Sequence, residues 1–508
     1  MARRMLAATV LLVLLLASAG VAVANDAAVG TRGAAVRPLA DTDIRMDSEA
    51  VQIICMDRYA LYRIDFLFVN ESDAPRSVKL GFPFPDFENP EGNLGAPPAA
   101  FGAWFNGERI VVTQEDGFDT DGESEWPAIW FTHEVSFPPG ESMVTVSYLG
   151  TPDASVMDGD LMEMLGLDWE DGWAVGYYPY LVHTGAGWAG PIGKTVVRYT
   201  LADDFNGTDV DEVIHAEASR KWLTTERARF MESFTRPAPG VYQWVYENYE
   251  PTRDHNPHLA FIYQGLGSET FDPWTDTTAS SWLELGEYSY PAYSLRDGQP
   301  STAWAEDAEG PGVGEWVDIP FGEERDVSEI RVLPGYQKRD DLFYKYNRPS
   351  RLEIEFSDGT STEIVLADEP GLQLFEVEAT ADEARVTILD VYPGTNERDE
   401  TYLSEITFAA SPMPMLETYE TVTGIAPPEA FDEPEALAPL VQASGAEAGG
   451  ADDSGTDGET TDETDAGPAD TADDGPELAT ILAVILGLLA LASTTALVVV
   501  VLRRRGSA

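Results

Sequence analysis

The stretch "RDGQPSTAWAE", Arg296 to Glu306, sets a turn dipeptide, two hydroxyls and a tryptophan within a few residues of one another. Asp297-Gly298 makes a turn that tolerates a left-handed residue, and Ser301 and Thr302 follow with oxygens able to face inward. Trp304 is close enough to be driven into an apolar core, so the loop is clamped at one end. A clamped loop with convergent oxygens can seat a hard cation, because calcium takes about six to eight oxygen ligands, many of them carbonyls, with a carboxylate to balance charge.

Outward from this loop, residues 40 to 410 are rich in Trp, Tyr, Phe, Val and Ile, punctuated by Gly, Pro and Asp. Alternating runs recur: "YRIDFLFV" (Tyr62 to Val69), "SMVTVSYL" (Ser142 to Leu149), "KTVVRYTL" (Lys194 to Leu201), "RLEIEFS" (Arg351 to Ser357) and "ARVTILDVY" (Ala384 to Tyr392). Period-two patterning with β-branched and aromatic residues predicts antiparallel strands with one face buried. The fold class expected is mostly β, as two β-sandwich or jelly-roll domains. "GLGSETFDPWTDTT", Gly265 to Thr278, reads as the boundary between a first domain of 40–265 and a second of 279–410. In the second, "GEWVDIPFG" (Gly314 to Gly322) reads as a core strand with Trp316, Val317 and Ile319 packed.

The ends of the chain place it in a compartment. Residues 1–24 run from Arg3 and Arg4 through an apolar stretch to Ala22-Val23-Ala24, the order of a cleavable secretory signal. Leu478 to Leu502 is an uncharged apolar run followed at once by Arg503, Arg504 and Arg505. That pattern predicts one transmembrane helix over 478–502, with a cytoplasmic tail of 503–508 and an extracellular N-terminal ectodomain. Between them, 411–477 turns to Ala, Gly, Pro, Thr, Asp and Glu, and no Lys or Arg occurs between Arg398 and Arg503. Like charges repel along a segment with little apolar surface, so its acidic half reads as a disordered stalk, either a spacer from the membrane or a linker needing only solubility.

With 31 Lys and Arg against 89 Asp and Glu, the net charge of −58 opposes nucleic-acid binding. A single cysteine, Cys55, rules out a disulfide within one chain. Stability must come from core burial.

The second domain resembles a known family. "LRDGQPSTAWAEDAEGPGVGEWVDIPFGEERDVSEIRVLPGYQ", followed by "YLSEITF", is similar to the discoidin, or coagulation-factor type C, fold, and "GYQK", "DLFYKYNRP" and "VYPGT" are similar to the glycan-binding domain attached to secreted NADases. The resemblance spans about 279–408. It implies a galactose-binding-like module with a structural calcium held by Asp297, Thr302 and Glu405 and by the carbonyl of Gln299. Gln299 stands where Asn or Asp is common. A metal-free turn, held by hydrogen bonds from Asp297 and Thr302 to backbone, satisfies the same residues.

The glycan side rests on Arg331 to Arg351, where Arg331, Lys338, Arg339, Lys345, Arg348 and Arg351 sit among Tyr336, Phe343, Tyr344 and Tyr346. Aromatic faces stack on sugar C–H surfaces, fixed polar groups bond hydroxyls, and cations favour acidic sugars. Tyr336, Lys338, Tyr346 and Arg348 are the candidates for contact with an extracellular, anionic glycan. Alternatively, half of the aromatics are core, and the cations pair with Asp340, Asp341, Glu353 and Glu355 on a solvated face.

The first domain resembles an uncharacterised family of exported bacterial β-domains, which transfers no chemistry. Trp188, Trp244 and Tyr249 read as core or rim. Asp254, His255 and His258 lack metal-ligand spacing and read as a loop. Asn70-Glu71-Ser72 and Asn206-Gly207-Thr208 are glycosylation sequons, and Asp168, Glu170 and Asp171 are the acids a hydrolase could use. Nucleophile and phosphate-loop motifs do not occur. The expectation is a membrane-anchored, non-catalytic carbohydrate-binding protein of the cell surface. The rivals are a protein-interaction ectodomain without sugar binding and an extracellular hydrolase.

Overall fold

The computed structural model describes residues 27–28, 33–34, 37–39, 42–56, 59–85, 98–120, 125–151, 153–155, 173–178, 180–203, 205, 234–252, 255–257, 259–264, 277–286, 288–338, 340–396, 398–434 and 440–442. The expected signal sequence, the acidic half of the stalk and the apolar run 478–502 lie outside them. Among the described residues, no helix is long and apolar enough to cross a membrane. The described β-structure belongs to one compact unit within Met1–Ala446.

The first domain is built on an eight-stranded sheet. Its members are β1 (Arg45–Cys55), β2 (Ala60–Asn70), β4 (Ala99–Phe105), β5 (Glu108–Ile110), β8 (Gly140–Gly150), β9 (Ile192–Leu201), β10 (Thr235–Ala238) and β11 (Val241–Tyr249). They lie in the order β10-β11-β9-β1-β2-β8-β4-β5. Neighbours are antiparallel apart from β9 and β1. A second sheet pairs β3 (Arg76–Pro85), β7 (Glu125–Phe137) and β6 (Thr113–Thr120) beside a short strand at Arg37–Pro38. Tyr62, Ile64, Phe66 and Phe68 of β2 meet Leu80, Phe82 and Phe84 of β3 and Phe131 of β7 in one core. Tyr62 and Tyr148 stack at 4.7 Å within it. Trp188, Trp244 and Tyr249 are all buried here, as their composition suggests.

The alternation in "YRIDFLFV" implies that one face of β2 meets solvent, but both faces are buried. Leu61 and Leu67 point away from the main core and belong to two further apolar clusters, and between them Arg63 and Asp65 are 3% and 0% exposed. Asp65 accepts from Arg63 Nε at 2.9 Å and from Thr145 Oγ1 at 2.8 Å. A buried pair of this kind tolerates burial because its lone pairs and protons are satisfied.

The second domain and the chain that follows it cover this outer face. Leu333, Leu374 and Met413 pack on Ile54, Met56, Leu61 and Leu149. Residues 411–434, expected to open the stalk, instead run across the first domain as an ordered strap. Its short helix α2 (Tyr419–Thr423) is capped by Thr418 and stopped by Gly424 at a φ of 73°. Tyr419 and Val422 sink into a cluster with Ala50, Leu67, Met143 and Val196, and the Tyr419 hydroxyl is hydrogen-bonded to Ser48. Polar groups tie both edges: Gln52 exchanges two hydrogen bonds with the Glu417 backbone, at 2.7 and 2.8 Å. Arg198 pairs with Glu417 at 2.5 Å, and Arg63 with Glu433 at 2.8 Å. Unlike the linker beyond it, 411–434 carries aromatic and aliphatic anchors, among them Met413, Tyr419, Val422, Ile425 and Phe431, that hold it to the first domain.

The second domain is a single wrapped sheet. It uses β12 (Trp304–Ala305), β13 (Trp316–Pro334), β14 (Arg348–Phe356), β15 (Ser361–Val365), β16 (Gln373–Tyr392) and β17 (Tyr402–Ala409) in the order β12-β17-β13-β16-β14-β15. The long strands β13 and β16 lose register between Pro320 and Arg325 and again between Val327 and Glu329. Such irregularities let strands bend, so the sheet closes round Val317, Ile319, Leu352, Ile354, Val386 and Ile388. Trp316 departs from expectation: it is half-exposed, and Arg385, paired with Asp318 at 2.6 Å, lies 4.0 Å above its ring.

Two outcomes follow. Tyr419→Ala empties the largest socket beneath the strap and is expected to lower stability by about 3 kcal/mol, whereas Tyr419→Phe, which loses only the Ser48 bond, should cost about 1 kcal/mol; urea denaturation of both checks this. Glu49, 0% exposed, accepts from Tyr180 at 2.6 Å and Thr195 at 3.1 Å, and burial raises its pKa from 4.5 to about 7. Its neutral form is the one the fold favours, so its contribution is complete below pH 4.5 and is lost as pH rises through 7. Glu49→Gln should remove that slope and raise stability well above pH 7 by up to about 3.5 kcal/mol, at roughly 1.4 kcal/mol per pKa unit; denaturation midpoints across the pH range measure it.

Candidate functional site

The Asp297 loop folds as a ring of short hydrogen bonds. Gly298 has a φ of 71°, a conformation open to glycine without strain. Asp297 Oδ1 accepts from the Gln299 N–H at 2.7 Å and Oδ2 from Thr302 Oγ1 at 2.7 Å. The Thr302 N–H donates to the Gln299 carbonyl at 2.9 Å. Trp304, 1% exposed, lies in the domain core, and its indole N–H donates to the Ser281 carbonyl at 3.0 Å. Thus Asp297, Gln299 and Thr302 are brought together. Glu405 sits on β17 opposite Leu333, 2% exposed. Among the described residues, no group of three or more His, Cys, Asp or Glu could hold a metal. Asp297, the Gln299 carbonyl and Thr302 nevertheless form a hard-oxygen set of the kind calcium accepts.

Beyond β13, three sequence segments assemble around a group of tyrosines. Tyr336 follows Gly335, whose φ is 68° and where a Cβ would come within 2.8 Å of the Phe343 ring. Gln337 fixes the same turn, its N–H donating to Ser404 Oγ at 3.0 Å and its side-chain amide to the Pro334 carbonyl at 2.7 Å. Tyr346 follows the helix α1 (Asp340–Lys345). The "VYPGT" segment presses on it from behind: Thr395 and Asn396 donate to the carbonyls of Tyr344 and Lys345 at 3.1 and 2.9 Å, and Gly394 donates to Asn347 Oδ1 at 2.7 Å. A side chain at Gly394 would collide with the backbone of Lys345 and Tyr346.

At the centre lies Tyr402, 1% exposed. Tyr336 stacks on it with centroids 5.3 Å apart, Tyr346 lies 4.5 Å away, and Tyr290 meets it edge-on at 5.2 Å. Tyr290 is 5.9 Å from Tyr336, and Tyr336 is 6.3 Å from Tyr346. Tyr290, Tyr336 and Tyr346 are half-buried, each exposing part of its ring. Burial, followed by the neighbouring phenols, raises the pKa of Tyr402 and of Tyr290, so those hydroxyls stay protonated at neutral pH.

The other candidates divide. Lys338 is exposed, and Lys345 Nζ lies 5.4 Å from the Tyr346 centroid. Arg348 has a different task from the sugar contact expected of it. It is 4% exposed, pairs with Asp368 at 2.5 Å, donates to the carbonyls of Tyr346 and Pro393 at 3.3 Å, and faces the Phe343 ring at 5.0 Å. Its charge is used in holding the loop. Arg331 and Arg351 pair with Glu329 at 2.7 Å and Glu363 at 3.1 Å, and Arg339 is outside the described residues. Tyr290 and Tyr402 were missed: Tyr402 reads as an ordinary strand residue in "YLSEITF", and the signal for Tyr290 was the alternation in "GEYSYP".

In the first domain, His255 Nδ1 accepts from the Thr252 N–H at 3.1 Å, a loop role; Asp254 and His258 are outside the described residues, as are Asp168, Glu170, Asp171 and the Asn206 sequon. Asn70 is 3% exposed, and its amide donates to the carbonyls of Ala74 and Phe137 at 2.9 and 3.0 Å. This first sequon has a structural use.

A wrapped sheet with a clamped Asp-Gly rim loop and a tyrosine-bearing end defines the second domain as a discoidin-like module. Residues 269–409 match the family described as NAD glycohydrolase translocation F5/8 type C domain. Residues 24–123 match a domain of unknown function, DUF4424. Similar solved structures include a protein from Legionella pneumophila, at 17% identity over 47% of this chain and 73% of that one, with a TM-score of 0.35. Another is the family 32 carbohydrate-binding module of NanJ from C. perfringens in complex with galactose, at 21% identity over 26% and 93%, with a TM-score of 0.21. A third is the corresponding module of AlyQ in complex with 4,5-unsaturated mannuronic acid, at 17% identity over 27% and 94%, with a TM-score of 0.20. Among curated proteins none matches.

Because Arg348 is itself buried, Arg348→Ala is expected to lower stability by about 2 kcal/mol, chiefly through lost packing on Phe343 and two carbonyls that lose a donor, Asp368 being exposed enough to rehydrate. Arg348→Lys, which cannot reproduce the planar fork, should recover less than half of that loss; thermal unfolding of the two variants reads the difference.

Proposed function

We propose that the chain is a non-catalytic carbohydrate-binding protein of the cell surface, displayed by a transmembrane helix at 478–502 and acting through the tyrosine-bearing end of its discoidin-like domain. The observation that carries this reading is the platform of Tyr290, Tyr336 and Tyr346 on the buried Tyr402. Half-exposed phenols offer a sugar both a C–H stacking face and hydroxyls that donate and accept. Lys338 and Lys345 at its margin support a preference for acidic saccharides. Calcium belongs to the same proposal: Asp297, the Gln299 carbonyl and Thr302 would hold it with Glu405, and when bound it would brace the loop against the last strand. Sites of this kind gain from display in many copies, since avidity multiplies weak single contacts.

A protein-interaction role is the second reading, favoured by the contact between the domains. That contact uses Leu333, Leu374 and Met413, whereas Tyr336 and Tyr346 belong to a separate cluster with Tyr402. The tyrosine end is therefore not the surface spent on the first domain.

Glycan-array binding of the full-length protein tests the proposal. Tyr336→Ala and Tyr346→Ala should each weaken retained saccharides about tenfold or more, as loss of an aromatic anchor worth roughly 1.4 kcal/mol or more implies. Chelator should lower thermal stability along with binding. No saccharide retained with or without calcium would end the sugar reading, and an unchanged melting temperature in chelator would end the metal.

A further inference from the structure

The tyrosine group does not stop at the three rings around Tyr402. A short hairpin pairs Glu284 with Ser289 and Leu285 with Tyr288, and its outgoing strand carries Tyr288 two residues before Tyr290. In extended chain, residues two apart share a face and lie about 7 Å from one another. Tyr288 and Tyr290 therefore continue a single aromatic row, and Leu285, across the hairpin from Tyr288, packs in the same cluster as Tyr290, Tyr336 and Tyr346. Tyr288 is 72% exposed at the hairpin tip. Among the described residues, no hydrogen bond or ring contact accounts for an aromatic ring held in water at that place, beside a row of half-buried rings of the same kind.

We infer that this surface binds an internal stretch of a linear polysaccharide, with successive sugar units on Tyr346, Tyr336, Tyr290 and Tyr288, rather than a single terminal sugar. The inference rests on the carbohydrate reading above and deepens it. Its basis is the breadth of the platform: Tyr346 to Tyr336 is 6.3 Å and Tyr336 to Tyr290 is 5.9 Å, with Tyr288 beyond. A single pyranose covers one such ring face, so the remaining faces stay wet unless the ligand continues. The rings are packed on one another as well, Tyr290 meeting Tyr336 edge-on. Rings coupled in this way present a fixed surface, which suits a ligand of repeating units.

Calorimetric titration of the full-length protein with linear gluco-, manno-, galacto- and galacturono-oligosaccharides, from monomer to hexamer, tests it. Affinity for the retained series should climb with length, by about tenfold or more between the monomer and the hexamer. Tyr288→Ala, at an exposed tip where little packing is lost, should weaken the longest ligand several-fold more than the shortest that binds, removing a large part of the gain with length. Equal affinity for every length overturns the inference while leaving the carbohydrate reading intact, as does a Tyr288→Ala effect of the same size on short and long ligands. If no sugar of any length binds the folded protein, the carbohydrate reading fails, and this inference with it.

Discussion

The outer face of the eight-stranded sheet has to be covered, and the rest of the molecule is arranged around that requirement. Strand β2 sends Tyr62, Ile64, Phe66 and Phe68 into one core and Leu61 and Leu67 into two others. The first domain's second sheet packs on one of these faces. On the other, the second domain supplies Leu333 and Leu374, and the strap supplies Met413, Tyr419 and Val422. The charges set among these apolar residues are answered from the covering side, Arg63 by Glu433 and Arg198 by Glu417. Burial without those partners would strand ions at low dielectric.

With the contact so placed, the opposite business of the second domain is left free for its rim. The Asp297 loop and the tyrosine group both belong to a module whose core is complete in itself. Glycines set the close approaches there: Gly335 admits Phe343 and Gly394 admits the backbone of Lys345 and Tyr346. The aromatic rings are therefore positioned by backbone packing and by hydrogen bonds such as those of Gln337 and Asn347, in addition to their contacts with one another.

Much of this was legible in the sequence. The alternating runs fall in β2, β8, β9, β14 and β16, and Trp304 anchors its loop as the order Asp-Gly, Ser-Thr, Trp implies. Alternation was misleading in one respect: the polar residues at alternate positions of "YRIDFLFV", Arg63 and Asp65, look solvent-facing, and only the strap and its carboxylates, far along the chain, reveal that they are buried. The same limit applies to Arg348. A basic residue among aromatics looks like a ligand contact until Asp368, twenty residues on, is seen beside it. Tyr336 and Tyr346 could be named because they stand in motif segments. Tyr402 could not, and Tyr290 was signalled only by the alternation around it, since their role depends on three separated segments meeting in space.

The strap has a bearing on how such proteins are built and cut. A gene fusion or recombination joint placed just after Ala409, where β17 ends, would carry away the second module and leave its neighbour with an oily, half-charged flank. The portable cassette is therefore longer than the recognisable fold, and it includes some two dozen residues that look like filler. Homology-guided trimming at that joint would discard a segment that covers part of the first module's apolar face.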